Sequence, residues 1–219
     1  MLKKIIPVLI AAISLLTVMP SRAAEEKRVA LTFDDGPHPR QTMKILDYLD
    51  KEDIKATFFV IGVNAKQWGD IVREEIERGH EIGNHTYTHD RAKRESAPAL
   101  KSDLLTNQSL LEEEFGYKTS LFRPPEGVCN ENVKSVACDL GYSLILWDID
   151  TKDWAHSSAS SIVENVMNNV RDGDVILFHD YVSGENHTLE ALKTIVPMLK
   201  EEGYTFVTVS ELNGKAVNK

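Results

Sequence analysis

Short apolar runs and longer helix-like segments alternate about seven times along the chain after residue 23. Most of the short runs are rich in β-branched or aromatic residues, and several are almost continuously apolar, which is typical of strands buried on both faces. The predicted strands are Val29–Phe33, Ala56–Ile61, Glu81–Gly83, Leu121–Arg123, Ser143–Trp147, Val175–Phe178 and Thr205–Val209. The predicted helices are Gln41–Lys51, Ile71–Arg78, Ala97–Phe115, Glu131–Leu140, Ser160–Val170 and Leu189–Glu201.

Strict alternation of strand and helix predicts an α/β fold, in which a parallel sheet is covered by helices. The pattern leaves open whether the sheet is open or closed into a barrel. In both architectures, functional side chains gather where the strands end, at their carboxyl ends. No long low-complexity linker interrupts the pattern, so a single domain is predicted.

The first 23 residues have the order of a secretory signal peptide. Lys3 and Lys4 form a basic start, the stretch Ile5–Met19 is apolar, and Ser21-Arg22-Ala23 offers small residues at a cleavage site. We predict cleavage after Ala23, export, and a mature domain over residues 24–219. The alternative is an uncleaved anchor, but the uncharged stretch is shorter than the roughly 20 residues that a bilayer requires. No stable membrane insertion is therefore expected after cleavage.

Composition narrows the class of protein. The chain has 219 residues, of which 42% are hydrophobic and 27% charged, and only two cysteines, so a disordered chain, a disulfide scaffold and a fibre are excluded. The formal charge of −9 argues against a nucleic-acid partner. Cleavage would remove three cations and no acid, which gives −12 and makes the surface of the mature chain distinctly acidic.

Two further patterns bear on whether the cysteines are paired and on the kind of organism that the protein comes from. Cys138 lies in a predicted helix nine residues after Cys129, a spacing that does not suit a disulfide, so both are predicted to be unpaired. Asn84 begins an Asn-x-Thr pattern where a glycan would block the motif described below, so we favour a bacterial source, in which such patterns are usually silent.

Five of the predicted strands run into polar, titratable clusters. These clusters are Asp34-Asp35-Gly36-Pro37, His85-Thr86-Tyr87-Thr88-His89, Arg123-Pro124-Pro125-Glu126-Gly127, Asp150-Thr151-Lys152-Asp153-Trp154 and His179-Asp180. Each alone has a structural explanation, such as a helix cap, a surface pair of histidines or a buried core histidine. Their joint placement at one rim of the sheet is what indicates chemistry.

One carboxylate and two imidazoles form a familiar zinc ligand set, and Asp35, His85 and His89 supply it. The spacing of the histidines would place both rings on one face of a helical turn. Asp34 would point away from Asp35 and be free to act as a general base. His179 is the candidate general acid.

Two other side chains would assist the candidate base and acid. Asp153 would hold the imidazole of His179. Arg123 would pair with the charged form of Asp34.

These motifs, in this order, resemble the polysaccharide deacetylase family (carbohydrate esterase family 4, the NodB-homology domain), over about Val29 to Val209. The resemblance implies a distorted, TIM-barrel-like (β/α) barrel with fewer than eight repeats, consistent with about seven parallel strands. It implies that Asp34 is the base, that Asp35, His85 and His89 bind the metal, and that His179 is the acid. Asp153 and Trp154 would support the acid and shape the groove, Arg123 would position the base, and Leu177 would line an acetyl-methyl pocket.

The activity that the resemblance implies is metal-assisted hydrolysis of N-acetyl groups on a polysaccharide of the peptidoglycan or chitin type. The implied cofactor is a divalent ion, zinc first, with cobalt, manganese and nickel as alternatives. Family members often have tyrosine at the position of Glu126; the oxyanion contact there comes from the backbone N–H, which glutamate retains. The expected protein is a secreted or cell-wall-associated bacterial monomer whose partner is an N-acetylated glycan.

Three alternatives remain. The first is an O-acetyl esterase acting on xylan, which the same family includes. The second is a non-catalytic glycan-binding protein, whose expected mark is a missing ligand or acid. The third is a barrel whose rim histidines hold a purely structural ion.

Overall fold

The computed structural model describes residues 27–212. The predicted signal peptide, residues 1–23, lies outside the described residues. Within residues 27–212, no helix combines the length and the apolar character that crossing a membrane requires. Cys129 and Cys138 are both free cysteines.

In the described part of the chain, eight short strands form one sheet in which every pairing between neighbours is parallel. They are β1 (Lys27–Asp34), β2 (Thr57–Val60), β3 (Glu81–Asn84), β4 (Leu121–Phe122), β5 (Ser143–Leu144), β6 (Ile149–Asp150), β7 (Asp174–His179) and β8 (Tyr204–Phe206). The order across the sheet is β5-β4-β3-β2-β1-β7-β6, and β8 pairs with the first residues of β1. The α/β class and the barrel-like architecture are confirmed.

Between residues 27 and 212, seven α-helices lie in the connections between the strands. They are α1 (Gln41–Lys51), α2 (Gly62–Gln67), α3 (Gly69–Glu77), α4 (Ala97–Phe115), α5 (Glu131–Leu140), α6 (Ala159–Asn169) and α7 (Thr188–Glu201). All six predicted helices are present, and α2 is additional. Gly116 and Gly141 end α4 and α5 in the left-handed conformation, with φ of 64° and 73°, as glycine after a helix favours.

The central strand β1 is buried almost throughout, because it has neighbours on both sides and helices over it. Phe33 stacks between Phe58 and Phe178 of the adjacent strands, with ring centroids 5.0 and 5.7 Å apart. Helices α1 and α7 add Leu46 and Ile195 to the same apolar cluster. A rigid core therefore lies beneath the ends of β1 and β7.

The predicted strand Ser143–Trp147 is wrong in its extent. It is replaced by two strands, β5 and β6, which are the two edges of the sheet. The chain passes from one edge to the other within residues 145–148, without a helix, and a connection of that length spans at most about 18 Å. The sheet must therefore curl until its edges approach each other, which gives a barrel with a gap between β5 and β6.

Candidate active site

The five polar clusters lie at the carboxyl ends of β1, β3, β4, β6 and β7, on one rim. Strand register sets which of them meet. Asp34 at the end of β1 is aligned with His179 at the end of β7. Asn84 is aligned with Phe122, so His85 and Arg123, the next residues, are also neighbours. The sheet therefore places the five clusters on a single rim, as the sequence predicts.

Asp35, His85 and His89 converge as predicted. The Nε2 atoms of His85 and His89 lie 3.3 and 3.4 Å from Oδ1 of Asp35, and the three possible ligand atoms lie within 4.8 Å of one another. Oδ1 of Asp35 is buried and accepts no hydrogen bond from the described residues. A buried carboxylate oxygen without a donor, facing two imidazole nitrogens, fits a divalent cation such as zinc.

The helical turn predicted for residues 85–89 is wrong. Thr86 and His89 adopt left-handed backbone conformations, with φ of 65° and 55°, so the segment is a loop. With these two left-handed residues in the loop, the centroids of the two imidazole rings lie 5.0 Å apart. Nδ1 of His85 lies 2.7 Å from the carbonyl oxygen of Arg123, so Nδ1 carries the proton and Nε2 is free to coordinate.

Asp34 is buried beside this trio and is paired with Arg123. Nη1 of Arg123 donates to Oδ1 of Asp34 at 2.7 Å and to Oγ1 of Thr32 at 2.9 Å. The other guanidinium nitrogens donate to the carbonyl oxygens of Ile145 and Leu146, at 3.2 and 3.1 Å. Arg123 is fully buried, and burial lowers its pKa although the Asp34 charge opposes that effect. The adjacent aspartates thus have different partners, as predicted.

His179 is held by Asp153, also as predicted. Oδ1 of Asp153 lies 2.7 Å from Nδ1 of His179, while Oδ2 accepts from the backbone N–H of His179 at 2.7 Å and from Oγ1 of Thr188 at 2.6 Å. Asp153 is only 1% exposed, so its position is fixed. Nε2 of His179 is the nitrogen left for a reacting group.

The charges of the site shift the titration of its members. Burial lowers the pKa of His179, but the hydrogen bond and charge of Asp153 outweigh it and raise the pKa to about 9. Burial raises the pKa of Asp35, but the interaction with the neighbouring His85 outweighs it and lowers the pKa to about 2. Burial and the neighbouring His85 lower the pKa of His89, which favours the neutral, coordinating imidazole.

A cleft of about 330 Å³ opens beside these groups. Its lining includes all three predicted substrate-binding residues, Glu126, Trp154 and Leu177, together with Arg91, Trp147 and Asp150. Trp154 is 53% exposed, and its indole N–H donates to Asp150 at 3.2 Å. On the other wall, Arg91 forms an ion pair with Glu126, whose backbone is left-handed with φ of 56°.

The sequence reasoning missed several residues of this site. Trp147 falls within a predicted strand, and no pattern in the sequence distinguishes Arg91. Asn64, whose side-chain amide donates to the carbonyl oxygen of Asp35 at 2.8 Å, follows a predicted strand in a segment to which no function was assigned. Its position three residues after the predicted strand Ala56–Ile61 is the signal in the sequence that indicates it.

A family model described as polysaccharide deacetylase matches residues 21–145, more than half of the chain. A peptidoglycan-N-acetylglucosamine deacetylase from Bacillus cereus is 42% identical over 189 residues, which cover 85% of this chain and 88% of that protein. The peptidoglycan-N-acetylglucosamine deacetylase PgdA from Listeria monocytogenes is 37% identical over 194 residues, 89% of this chain and 40% of that longer protein.

Solved structures show the same fold. Peptidoglycan deacetylase PdaC from Bacillus subtilis superposes with a TM-score of 0.78, at 36% identity, over 86% of this chain and 90% of that chain. A family 4 acetyl xylan esterase from Clostridium thermocellum, in complex with a cobalt ion, gives 0.78 at 35% identity over 85% and 90%. A CE4-family pseudoenzyme from Bacillus anthracis gives 0.79 at 32% identity over 85% and 65%.

Proposed function

This chain belongs to the polysaccharide deacetylase family, carbohydrate esterase family 4, and from that premise we propose that it hydrolyses N-acetyl groups of an N-acetylhexosamine-containing polysaccharide and releases acetate. The observation that carries the proposal is the complete set of groups around one point. Three candidate ligands, the Asp34–Arg123 pair and the His179–Asp153 pair are all present at one rim, where His85 and the Asp34, Arg123 and Asp153 side chains are buried.

Asp35, His85 and His89 would hold a divalent ion, which when bound polarises the acetyl carbonyl and lowers the pKa of a water molecule. Asp34 takes a proton from the attacking water. Arg123 holds the Asp34 carboxylate in place through the 2.7 Å contact, and its other bonds to backbone carbonyls fix the guanidinium. The base is therefore oriented before the substrate arrives.

His179 donates a proton from Nε2 to the departing amine, which would otherwise be a very poor leaving group. A pKa raised to about 9 keeps this imidazole protonated at neutral pH, which the role requires. The backbone N–H of Glu126 would stabilise the oxyanion. Leu177 and Trp147 give the cleft an apolar part for the acetyl methyl group, and the exposed face of Trp154 suits the face of a sugar ring.

The glycan that we propose is peptidoglycan, because the relatives reported above are named as peptidoglycan deacetylases; a chitin-like glycan is the alternative substrate. For the metal we propose zinc, with cobalt, manganese and nickel as candidates, since carboxylate–imidazole sites accept several divalent ions. We also propose that the protein is a bacterial monomer, exported after cleavage at Ala23, and secreted or attached to the cell wall.

Acetate release tests the proposal. Purified protein loaded with each of the four metals is incubated with peptidoglycan, N-acetylglucosamine oligomers and acetylxylan. Release from the N-acetylated glycans, abolished by a chelator and restored by metal, is the expected result. Metal-loaded protein that binds these glycans but releases no acetate would contradict it and would favour the non-catalytic alternative.

An O-acetyl esterase is the second candidate, and the structural similarity to the acetyl xylan esterase favours considering it. An alcohol leaves more readily than an amine, so an esterase depends less on its general acid. His179→Ala separates the two: we expect loss of activity on N-acetyl substrates, whereas a variant that remains fast on acetylxylan indicates the esterase.

A further inference from the structure

Helix α4 directs two polar residues, Asp103 and Asn107, into the protein interior. They are 4% and 0% exposed and lie four residues apart, hence on one face of the helix. Burying an amide or a carboxylate is unfavourable unless its hydrogen bonds are made. Their partners therefore indicate why this face is polar where a helix packed against a core would ordinarily be apolar.

Asp103 binds the loop that carries the candidate ligands. The backbone N–H of Thr88 donates to Oδ2 at 3.1 Å, and Oγ1 of Thr88 lies 3.1 and 3.0 Å from the two carboxylate oxygens. Lys93 Nζ donates to Oδ1 at 2.6 Å. Thr88 immediately precedes His89, so Asp103 fixes the backbone from which one imidazole extends.

Asn107 binds the other part of the same loop. Its side-chain amide nitrogen lies 3.0 Å from the carbonyl oxygens of Val60 and Thr86 and from Oδ1 of Asn84. Oδ1 of Asn84 in turn accepts from the backbone N–H of Thr86 at 2.8 Å. Residues on both sides of His85 are thus held from α4.

The loop requires such support because its conformation is unfavourable for its residues. Thr86 and His89 are left-handed although neither is glycine, and threonine is β-branched. A left-handed conformation of this kind persists only where the surrounding structure imposes it. In this conformation residues 85–89 place the Nε2 atoms of His85 and His89 at 3.3 and 3.4 Å from Oδ1 of Asp35.

We propose that Asp103 and Asn107 are positioning residues that set the spacing of His85 and His89 and so determine the affinity for the divalent ion. The proposal rests on the metal site of the proposed function, but not on any substrate or reaction step. Neither residue touches the ligand atoms; both bind the loop residues next to the histidines, Asp103 at Thr88 and Asn107 at Thr86. Loss of groups that orient metal ligands typically weakens binding about 10- to 100-fold.

The test measures metal binding directly. Dissociation constants for Zn²⁺ and Co²⁺ are determined by chelator competition for the wild type, Asp103→Ala and Asn107→Ala, and the visible spectrum of the Co²⁺ form reports ligand geometry. We expect about 10- to 100-fold weaker binding and an altered Co²⁺ spectrum. Asp103→Asn retains an acceptor for Thr88 and should recover most of the affinity. Thr88→Val, which removes the hydroxyl from the loop side, should weaken binding without altering α4.

Leu111→Ala is the matched control. Leu111 is fully buried on the same helix, one turn after Asn107, but contacts the apolar core. This variant should lose stability and keep the wild-type affinity and Co²⁺ spectrum. If Asp103→Ala, Asn107→Ala and Thr88→Val all behave like Leu111→Ala, the residues are merely structural and the proposal is overturned. A wild type that binds neither metal would overturn the metal site itself, a different result.

Discussion

At the scale of single residues, the two adjacent aspartates have different partners, which suits the two different roles that we propose for them. Asp34 ends β1 and accepts from Arg123, whereas Asp35 has φ of 73° and faces two imidazoles. The sequence predicted this division, because neighbouring residues at a strand end point in different directions. It could not show that Oδ1 of Asp35 is buried without a donor, which depends on the folded site.

Asp34→Asn should reduce the rate of acetate release at least about 10²-fold, because an amide cannot accept the proton from the attacking water. The affinity for the metal should change little, since Asp34 is not one of the three candidate ligands. Acetate assays at saturating metal, together with metal titration, check both parts. Asp35→Asn is the control and should lose metal affinity instead. Near-wild-type turnover in Asp34→Asn would refute its assignment as the base.

The activity should fall as the pH rises toward about 9, the pKa to which Asp153 raises that of His179, because the general acid is then deprotonated. A bound divalent cation favours the neutral imidazole. The fall in activity on the basic side of the pH profile of the metal-loaded enzyme should therefore lie at or below that pH. In Asp153→Asn this fall should move to lower pH. A profile of kcat against pH measures it, and a fall at an unchanged pH would exclude the Asp153–His179 contact as its origin.

The same shift has a consequence for the stability of the metal-free protein. The pKa of His179 is higher in the folded protein than its ordinary value of 6.5. Protonated His179 therefore contributes fully to the free energy of unfolding below about pH 6.5, and this contribution is lost as the pH rises through about 9. His179→Gln should abolish this part of the pH dependence. Urea titrations at pH 6 and pH 10 compare the two proteins, and equal pH dependence would show that the imidazole is not responsible.

At the scale of elements, the short helix α2 connects both loops that carry candidate ligands. The backbone N–H groups of Gly62 and Val63 donate to the carbonyl oxygens of Thr86 and Tyr87, at 3.0 and 2.9 Å. Asn64 donates to the carbonyl oxygen of Asp35. The loops after β1 and β3 are therefore held against one another by a helix of six residues.

Gly62→Ala should weaken metal binding by at least about 10-fold, since the loop that orients two ligands must move. A β-carbon there would lie 2.3 Å from Cδ2 and 2.9 Å from Cα of Tyr87, which is backbone and cannot turn aside. Chelator competition gives the affinity. The control is Gly141→Ala, where no atom lies within 4 Å but φ is 73°, so roughly 1–2 kcal/mol of stability is lost and metal affinity is kept. Equal affinities in both variants would contradict the prediction.

Elements with a strong periodic pattern were predictable, and those set by long-range contacts were not. Helices α1, α4 and α5 have the bounds that the sequence predicts, and a glycine follows α4 and α5. The division of the predicted strand at residue 143 into β5 and β6 depends on which edges of the sheet the chain must join. The loop conformation of residues 85–89 likewise depends on α2 and α4, which no local pattern reveals.

At the scale of the whole molecule, the core is independent of the candidate metal site. The largest apolar cluster contains residues of β1, β2 and β7 and of the helices that cover them, such as Leu49, Val60 and Leu199. The candidate ligands lie beyond the strand ends. The fold should therefore persist without the ion, in contrast to small domains that metal binding itself folds.

Chelation should abolish activity and lower the melting temperature by on the order of 10 °C, as expected when a ligand present at about 1,000 times its Kd is removed. The far-UV circular dichroism spectrum at 25 °C should not change. Spectra and melts recorded with and without chelator, followed by metal replacement and an acetate assay, provide the test. Loss of the spectrum on chelation would instead favour the alternative of a purely structural ion.

The guanidinium of Arg123 links the reaction to the closure of the barrel. It holds Asp34, and it also donates to the carbonyl oxygens of Ile145 and Leu146 in the connection between the two edge strands. Mutational drift should therefore be uneven across the motifs. In descendants that have lost catalytic activity, His179 or Asp34 can be replaced with little loss of stability. Arginine should persist at position 123 in such proteins, because the barrel still requires it.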